Sequence, residues 1–462
     1  MKISHKEKKL TRPSGCSSSS GAVVNGSGNA CAADSLSVND KKQALPQDLM
    51  ERICSHANLN SAFRRVKSNA GAAGIDRMSV DELHQWLTTN KEGLIASLLE
   101  GKFMPGVVRG VDIPKPGGGK RLLGIPTVVD RLVQQAISQI LTPILEPVFS
   151  DSSYGFRPGR SARDAVLQAK GYVESGFEYV VDIDLESYFD RVNHDILMDR
   201  LTRHVGDRRL LKLVRRFLQA GMMREGILVT RSEGTPQGGP LSPLLANLLL
   251  DDLDKELEFR GHKFCRYADD CNVYVRSQKA ADRILASLTE WLSRKLKLRI
   301  NAAKSGAMQS EKRKFLGYRI TPYGLVIAPE SVSRIKGKIR TILARRSPVS
   351  AQDRITLINQ LVVGWTQYFR HAKARTLLHA IDKWVRRRFR CLILHQCKRA
   401  YTRMRLLRKY GVPEWRAWIT ALSGKGMWRM SRAPSVHEAL SKQLFTDRGL
   451  KSFEMRFLEL NT

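Results

Sequence analysis

Phe264-Cys265-Arg266-Tyr267-Ala268-Asp269-Asp270-Cys271-Asn272-Val273-Tyr274-Val275 decides how this chain is read. Apolar and β-branched residues flank Tyr267-Ala268-Asp269-Asp270 on both sides, which predicts two strands meeting at a tight reversal with the Asp pair at its tip. Asp oxygens are hard ligands for Mg²⁺. Phosphoryl transfer through two metals needs carboxylates that clamp both ions while substrate phosphates complete the coordination. An isolated Asp-Asp turn is more often only a solvated turn, so its meaning depends on what other carboxylates accompany it.

A partner lies upstream in Phe177-Glu178-Tyr179-Val180-Val181-Asp182-Ile183-Asp184-Leu185-Glu186-Ser187-Tyr188-Phe189-Asp190. The β-branched run predicts a strand that delivers Asp184 at its C-terminal end, with a turn bringing Phe189 back toward it. Asp184, Asp269 and Asp270 thus form a candidate two-metal site. Asp182 shares the strand face of Asp184 and is read as a structural or supporting group. Two turn clusters are candidates for the substrate. Lys115-Pro116-Gly117-Gly118-Gly119-Lys120-Arg121 is a Gly-rich reversal bounded by cations, suited to a triphosphate or simply to a solvated hairpin tip. Thr235-Pro236-Gln237-Gly238-Gly239-Pro240 precedes an apolar run, Leu241 to Leu253, long enough for a buried helix. Its glycines permit close backbone approach to a ligand, though a rigid loop leading into the helix is the simpler reading. Lys304, after the alternating Leu296–Ile300, suits either a phosphate contact or an ordinary surface position. Phe189 is equally readable as a core aromatic.

Composition points to a polyanionic partner. The chain of 462 residues has 78 Lys+Arg against 44 Asp+Glu, a formal charge of +34, which implies strong, salt-sensitive attraction to nucleic acid. Residues 331–462 hold 29 basic and 7 acidic residues, so +22 of the excess lies there. Aromatics such as Trp365, Tyr368, Trp384, Trp415, Trp418 and Trp428 are interleaved with those cations, the composition that RNA backbones and bases require. The rings are dispersed rather than gathered into an amphipathic anchor, and no apolar run is long enough to span a bilayer, so no membrane partner is expected. Seven cysteines without framework spacing fit a reduced, cytoplasmic protein, and Cys391, His395 and Cys397 lack the paired elements of a zinc site. Residues 1–45, rich in Ser, Gly, Ala and Asn, read as disordered rather than as a secretory signal.

With these blocks in view, the chain resembles the bacterial group II intron reverse transcriptases, or maturases, from about Arg64 onward. The resemblance rests on Gly74-Ile75-Asp76, Ile113 through Thr127, Tyr154-Gly155-Phe156-Arg157-Pro158-Gly159-Arg160-Ser161, the Asp184 segment, Gly234 through Pro243, Tyr267-Ala268-Asp269-Asp270, and Lys314-Phe315-Leu316-Gly317-Tyr318, in the family's order. Ser187 and Tyr188 depart from the usual residues without touching a proposed ligand.

The resemblance implies an α+β, right-hand polymerase. Residues 46–325 would form fingers and palm with a small antiparallel sheet, residues 326–400 an α-helical thumb or maturase domain marked by Gly364-Trp365-Thr366-Gln367-Tyr368-Phe369, and residues 401–462 a basic DNA-binding extension. It implies two Mg²⁺ ions held by Asp184, Asp269, Asp270 and the backbone carbonyl of Leu185. Lys115 and Arg121 would contact the nucleotide phosphates, with Gln237 and Lys304 nearby, and Phe189 would exclude a 2′-hydroxyl. Arg157, Trp365, Arg386, Arg387, Arg388, Arg403 and Arg405 would contact nucleic acid. Implied partners are a group II intron RNA, a DNA target and primer, and deoxynucleoside triphosphates, and the resemblance also allows a homodimer. No paired-cysteine endonuclease segment follows, so cutting a second DNA strand is not expected. A retron, diversity-generating or CRISPR-linked enzyme, or a maturase without polymerase activity, are the alternatives; the thumb motif and basic extension argue against the former, the intact carboxylates against the latter.

Overall fold

The computed structural model describes residues 45–114, 118–224 and 227–462. Lys115 and the N-terminal segment expected to be disordered, apart from Leu45, lie outside the described residues.

The strand expected to end at Asp184 spans Tyr179–Asp184, and the predicted hairpin forms from Lys263–Tyr267 and Asp270–Val275. With Gly306–Gln309 these make a four-stranded antiparallel sheet, ordered Lys263–Tyr267, Asp270–Val275, Tyr179–Asp184, Gly306–Gln309. Side chains alternate across a strand, so each face of this sheet buries a different set. Val181, Ile183 and Val273 enter one hydrophobic core, and Val180, Cys265 and Tyr274 enter a second. The sheet is therefore a partition between two cores.

The first core is built from helices. Val128–Leu145 begins at Thr127, whose hydroxyl accepts from the Asp130 N–H, and buries most of its length. Ser242–Phe259 is the predicted apolar helix, opened by Pro243 in its first turn and covering the sheet. A second four-stranded sheet, Lys120–Ile125, Val108–Pro114, Met222–Arg224 and Ile227–Val229, lies beyond it. Its first two strands are the arms of the Gly-rich reversal, where Gly118 and Gly119 take φ of 90° and 81°.

The second core is mainly helical and continuous from the sheet to the C-terminus. It packs Val180 and Tyr274 with Ile335, Ile358, Ile381 and Phe389, and then with Leu407, Ala417, Val436 and Phe457. The boundary expected near residue 400 is not a boundary in packing. Asp382, in the helix Arg375–Gln396, accepts from the Ser452 hydroxyl (2.6 Å) and from the Phe453 and Glu454 N–H groups (2.9 and 3.0 Å), satisfying the start of the last helix, Phe453–Glu459, from another element. The basic extension is thereby folded onto the preceding helices. Among the described residues no helix is long and apolar enough to cross a membrane.

Candidate active site

Strand register sets out the site. Asp184 stands directly opposite Asp270, and two residues below, on the same face, Asp182 stands opposite Asn272. With its amide oriented to satisfy both ends, Asn272 donates to Asp182 Oδ1 at 3.0 Å, while Arg313 lies 3.3 Å from Asp182 Oδ2. The lower pair thus supports the upper one. Burial pushes the Asp182 carboxyl up to about 6; Arg313 opposes the shift and Asp184 adds to it. Asp270 is also pushed up to about 6, first by the surrounding protein although the residue keeps an exposed face, then by Asp269, Asp182 and Asp184, with Lys314 opposing. These carboxylates crowd one another, and oxygen donors gathered in this way fit a divalent metal.

Asp182, Asp184 and Asp270 line one cleft of about 930 Å³, together with Lys304, Arg313 and Lys314. The cleft runs on to the helices Pro329–Ile342 and Ala351–Tyr368, where Trp365 and Tyr368 form its wall. Asp269 sits half-buried in the turn and does not line the cleft. Among the described residues no group of three or more His, Cys, Asp and Glu side chains is gathered for a metal ion. The register therefore brings two of the three expected ligands face to face and leaves Asp269 beside them. The Asp184 backbone is tied down: its N–H donates to Ser305 Oγ (2.9 Å) and its carbonyl accepts from Asn301 (2.8 Å). Leu185 buries its side chain and bridges to Ile300. Lys304 reaches Asp184 Oδ2 at 3.6 Å.

The two predicted substrate turns meet. Arg121 donates to Gln237 Oε1 at 2.5 Å across 116 positions of sequence, and the Gly124 N–H donates to the Gln237 carbonyl at 2.9 Å. A Cβ on Gly238, whose φ is +132°, would stand 2.4 Å from the Gly124 carbonyl oxygen, so only glycine allows this approach. Phe189 is 9% exposed, packs edge-on to Tyr188 at 5.2 Å, and its carbonyl accepts from Thr235 at 2.6 Å, joining the Asp184 segment to the same loop.

Several expected nucleic-acid contacts are otherwise engaged. Arg157 is a correction: at 8% exposure it donates to Glu146 Oε1 (2.8 Å) and to the carbonyls of Glu146, Ser150 and Ser153. It fixes a loop rather than facing a ligand. Arg403 donates to the carbonyls of Ala421, Cys397 and Lys398. Arg387 stacks 3.7 Å from the Trp428 ring centroid and donates to the Trp428 carbonyl. Arg386 and Arg388 are half-buried, Arg388 lying 5.6 Å from the Trp384 centroid, and Arg405 is exposed beside Tyr401. Trp365 packs on Phe369 and Phe453. Arg266, fully buried behind the hairpin, has a role that the sequence reading missed. Its signal is the polar stripe Asn247, Asp251 and Asp254, at helical spacing inside an apolar helix.

Residues 113–320 match the family described as reverse transcriptase (RNA-dependent DNA polymerase), and residues 332–411 match the group II intron, maturase-specific domain. Protein YkfC of Escherichia coli (strain K12) is 33% identical over 315 residues, covering 59% of this chain and 83% of that protein. The chain belongs to the group II intron reverse transcriptase/maturase family. This reverse transcriptase/maturase is also 38% identical over 196 residues to the group II intron-encoded protein LtrA of Lactococcus lactis subsp. cremoris, covering 42% of this chain and 32% of LtrA. A putative COX1/OXI3 intron 1 protein of Saccharomyces cerevisiae is 27% identical over 394 residues, 72% of this chain and 46% of the yeast protein. The match thus spans about a third of LtrA and under half of the yeast protein.

Proposed function

We propose that this protein copies RNA into DNA by nucleotidyl transfer and binds a group II intron RNA to assist its splicing. The observation that carries the polymerase reading is the Asp184–Asp270 register at the head of a cleft open to the helical half. Asp184 and Asp270, with Asp269 and the Leu185 carbonyl, would hold Mg²⁺. Bound there, two ions would supply charge neutralisation for a primer 3′-hydroxyl and for departing pyrophosphate.

The chain's own residues divide the remaining work. Arg121 and Gln237, already bonded, would orient the triphosphate, and Lys304 would exchange its Asp184 contact for a phosphate. The sheet would be the palm, the Gly-rich hairpin the fingers, and Pro329–Ile342 with Ala351–Tyr368 the thumb, so that Trp365 walls the primer–template track. Arg386, Arg388 and Arg405, with their neighbouring rings, are the arginines best suited to the RNA.

The test is extension of a DNA primer on an RNA template with deoxynucleotides and Mg²⁺. Wild-type protein should make full-length product and Asp184→Ala none; no product from wild type would remove the polymerase assignment, and product from both would remove Asp184 from the site. Phe189 is read as the sugar filter. Phe189→Val should raise ribonucleotide relative to deoxynucleotide incorporation by about tenfold or more, since discrimination by contact scales with the clash removed. An unchanged ratio in an active variant would make Phe189 a core residue alone.

A further inference from the structure

Arg266 precedes the catalytic turn and points to the face of the sheet opposite the carboxylates, against the helix Ser242–Phe259. It is 0% exposed, as are Asp254 and Ser153, and Asn247 is 1% exposed. A guanidinium has five N–H donors, and here each meets an acceptor. Nε and Nη2 grip Asp254 at 2.7 and 2.5 Å, and Nη2 also donates to Ser153 Oγ at 2.7 Å. Nη1 donates to Asn247 Oδ1 at 3.0 Å and to the Ala268 carbonyl at 3.0 Å.

The last bond reaches the turn itself. Ala268 has a φ of 58°, a left-handed conformation that its Cβ disfavours, so the turn is imposed by its surroundings rather than chosen by its sequence. The surroundings are closed on a second side. The Arg266 backbone pairs with the segment at Ser152–Tyr154, and Asn247 Nδ2 holds the Gly155 carbonyl at 2.7 Å. A Cβ on Gly155 would come within 2.2 Å of the Ala268 nitrogen, so that loop lies flush against the turn.

We propose that Arg266 is a positioning residue: its fork, anchored on Asp254, holds the Ala268 carbonyl and so aims Asp269 and Asp270 at the cation site. This rests on the polymerase reading above. Stability alone does not call for such a pair, because a buried ion pair is often replaced by apolar residues without loss. What an apolar pair cannot supply is the bond to Ala268.

That difference is the experiment. In Arg266→Met combined with Asp254→Leu, the melting midpoint should fall, because Asn247, Ser153 and the Ala268 carbonyl lose their buried donor; in the folded protein the primer–template KM should stay within about twofold while kcat falls roughly 10- to 100-fold, the scale of small misplacements at reacting groups. Tb³⁺ luminescence, read without substrate, should show cation affinity weakened about fivefold or more. A folded double variant with wild-type kcat and cation affinity overturns the proposal. If the double variant does not fold, Arg266→Lys decides. It keeps the charge facing Asp254 but lacks the fork that reaches Ala268, so the same two readouts should fall, and wild-type values would overturn the proposal. Wild-type protein that never extends a primer, with Tb³⁺ affinity still lowered in the variants, would defeat the polymerase reading and leave the positioning role standing.

Discussion

The sheet that carries the carboxylates and the helical half that carries the charge use ionisable residues in opposite ways. At the sheet a few acids are placed by strand register, close enough to raise one another's carboxyls. In residues 331–462 the basic excess is +22, yet many of the cations are structural. Arg354, 3% exposed, donates to the carbonyls of Ala344, Ser347 and Val349, and Arg390, 5% exposed, to that of Leu440. A count of charges registers attraction to a polyanion. It does not register which donors the chain has already used on itself.

The sharpest way to break this comparison is at the register pair. Asp270→Asn should lower primer extension by about 10³-fold or more while intron RNA affinity stays within about twofold, because the charge is required in the transition state and not for RNA attraction. Equal losses in both assays would mean that the sheet is also the RNA-binding surface.

Next in size is a difference in stability between two kinds of arginine. Arg157→Ala should cost about 3 to 5 kcal/mol, since it leaves Glu146 and three carbonyls without their partner, whereas exposed Arg405→Ala should stay within about 0.5 kcal/mol. Denaturant midpoints at constant m-value check this. Comparable midpoints would show that Arg157 is dispensable to its loop.

A smaller effect follows from crowding at the sheet. Asp182 and Asp270 are both raised to about 6, so as pH falls through 6 they take protons that compete with the cation. A raised carboxyl loses its charge earlier on acidification, and half-saturating Mg²⁺ for extension should rise by up to about tenfold per pH unit per proton displaced. Asp182→Asn removes one negative neighbour and should move the onset to lower pH. A Mg²⁺ requirement flat between pH 7.5 and 5.5 would show that the crowding is already relieved.

What sequence made legible was local and periodic. The β-branched run ending at Asp184, the hairpin around Ala268 and the apolar helix after Pro240 follow from patterns within one segment, and the structure has all three. Arg266 was not legible because part of its fork is filled by a partner brought by the fold: Ser153 stands 113 positions away. Arg157 has its partners within 11 positions, but three of them are backbone carbonyls, which leave no mark in a sequence. The same holds for the expected break near residue 400. The resemblance set an edge there, but Leu407 and Phe457 continue the core of Ile381 and Phe389, and only three-dimensional packing reveals that continuity.

The smallest expected effect is the one that tests whether any of the basic half faces RNA. Among the described residues, Arg386, Arg388 and Arg405 do not spend their donors on backbone carbonyls of the kind that hold Arg387 and Arg403. Changing each of the three to Gln should weaken intron binding and reduce the magnitude of the log–log salt slope by roughly 0.7 to 0.9 for every phosphate that is no longer neutralised. Splicing assistance at low Mg²⁺ should fall with affinity, because it depends on a wide RNA footprint. Extension at saturating short primer–template should hold, since the carboxylates that perform it are untouched. Arg403→Gln serves as the contrast: it frees the Ala421 carbonyl and should lower the melting midpoint while leaving the slope alone. If the triple change leaves affinity and slope unchanged, these three side chains are solvated bystanders, and the RNA is held by cations along the cleft, beginning with Lys338 and Arg334.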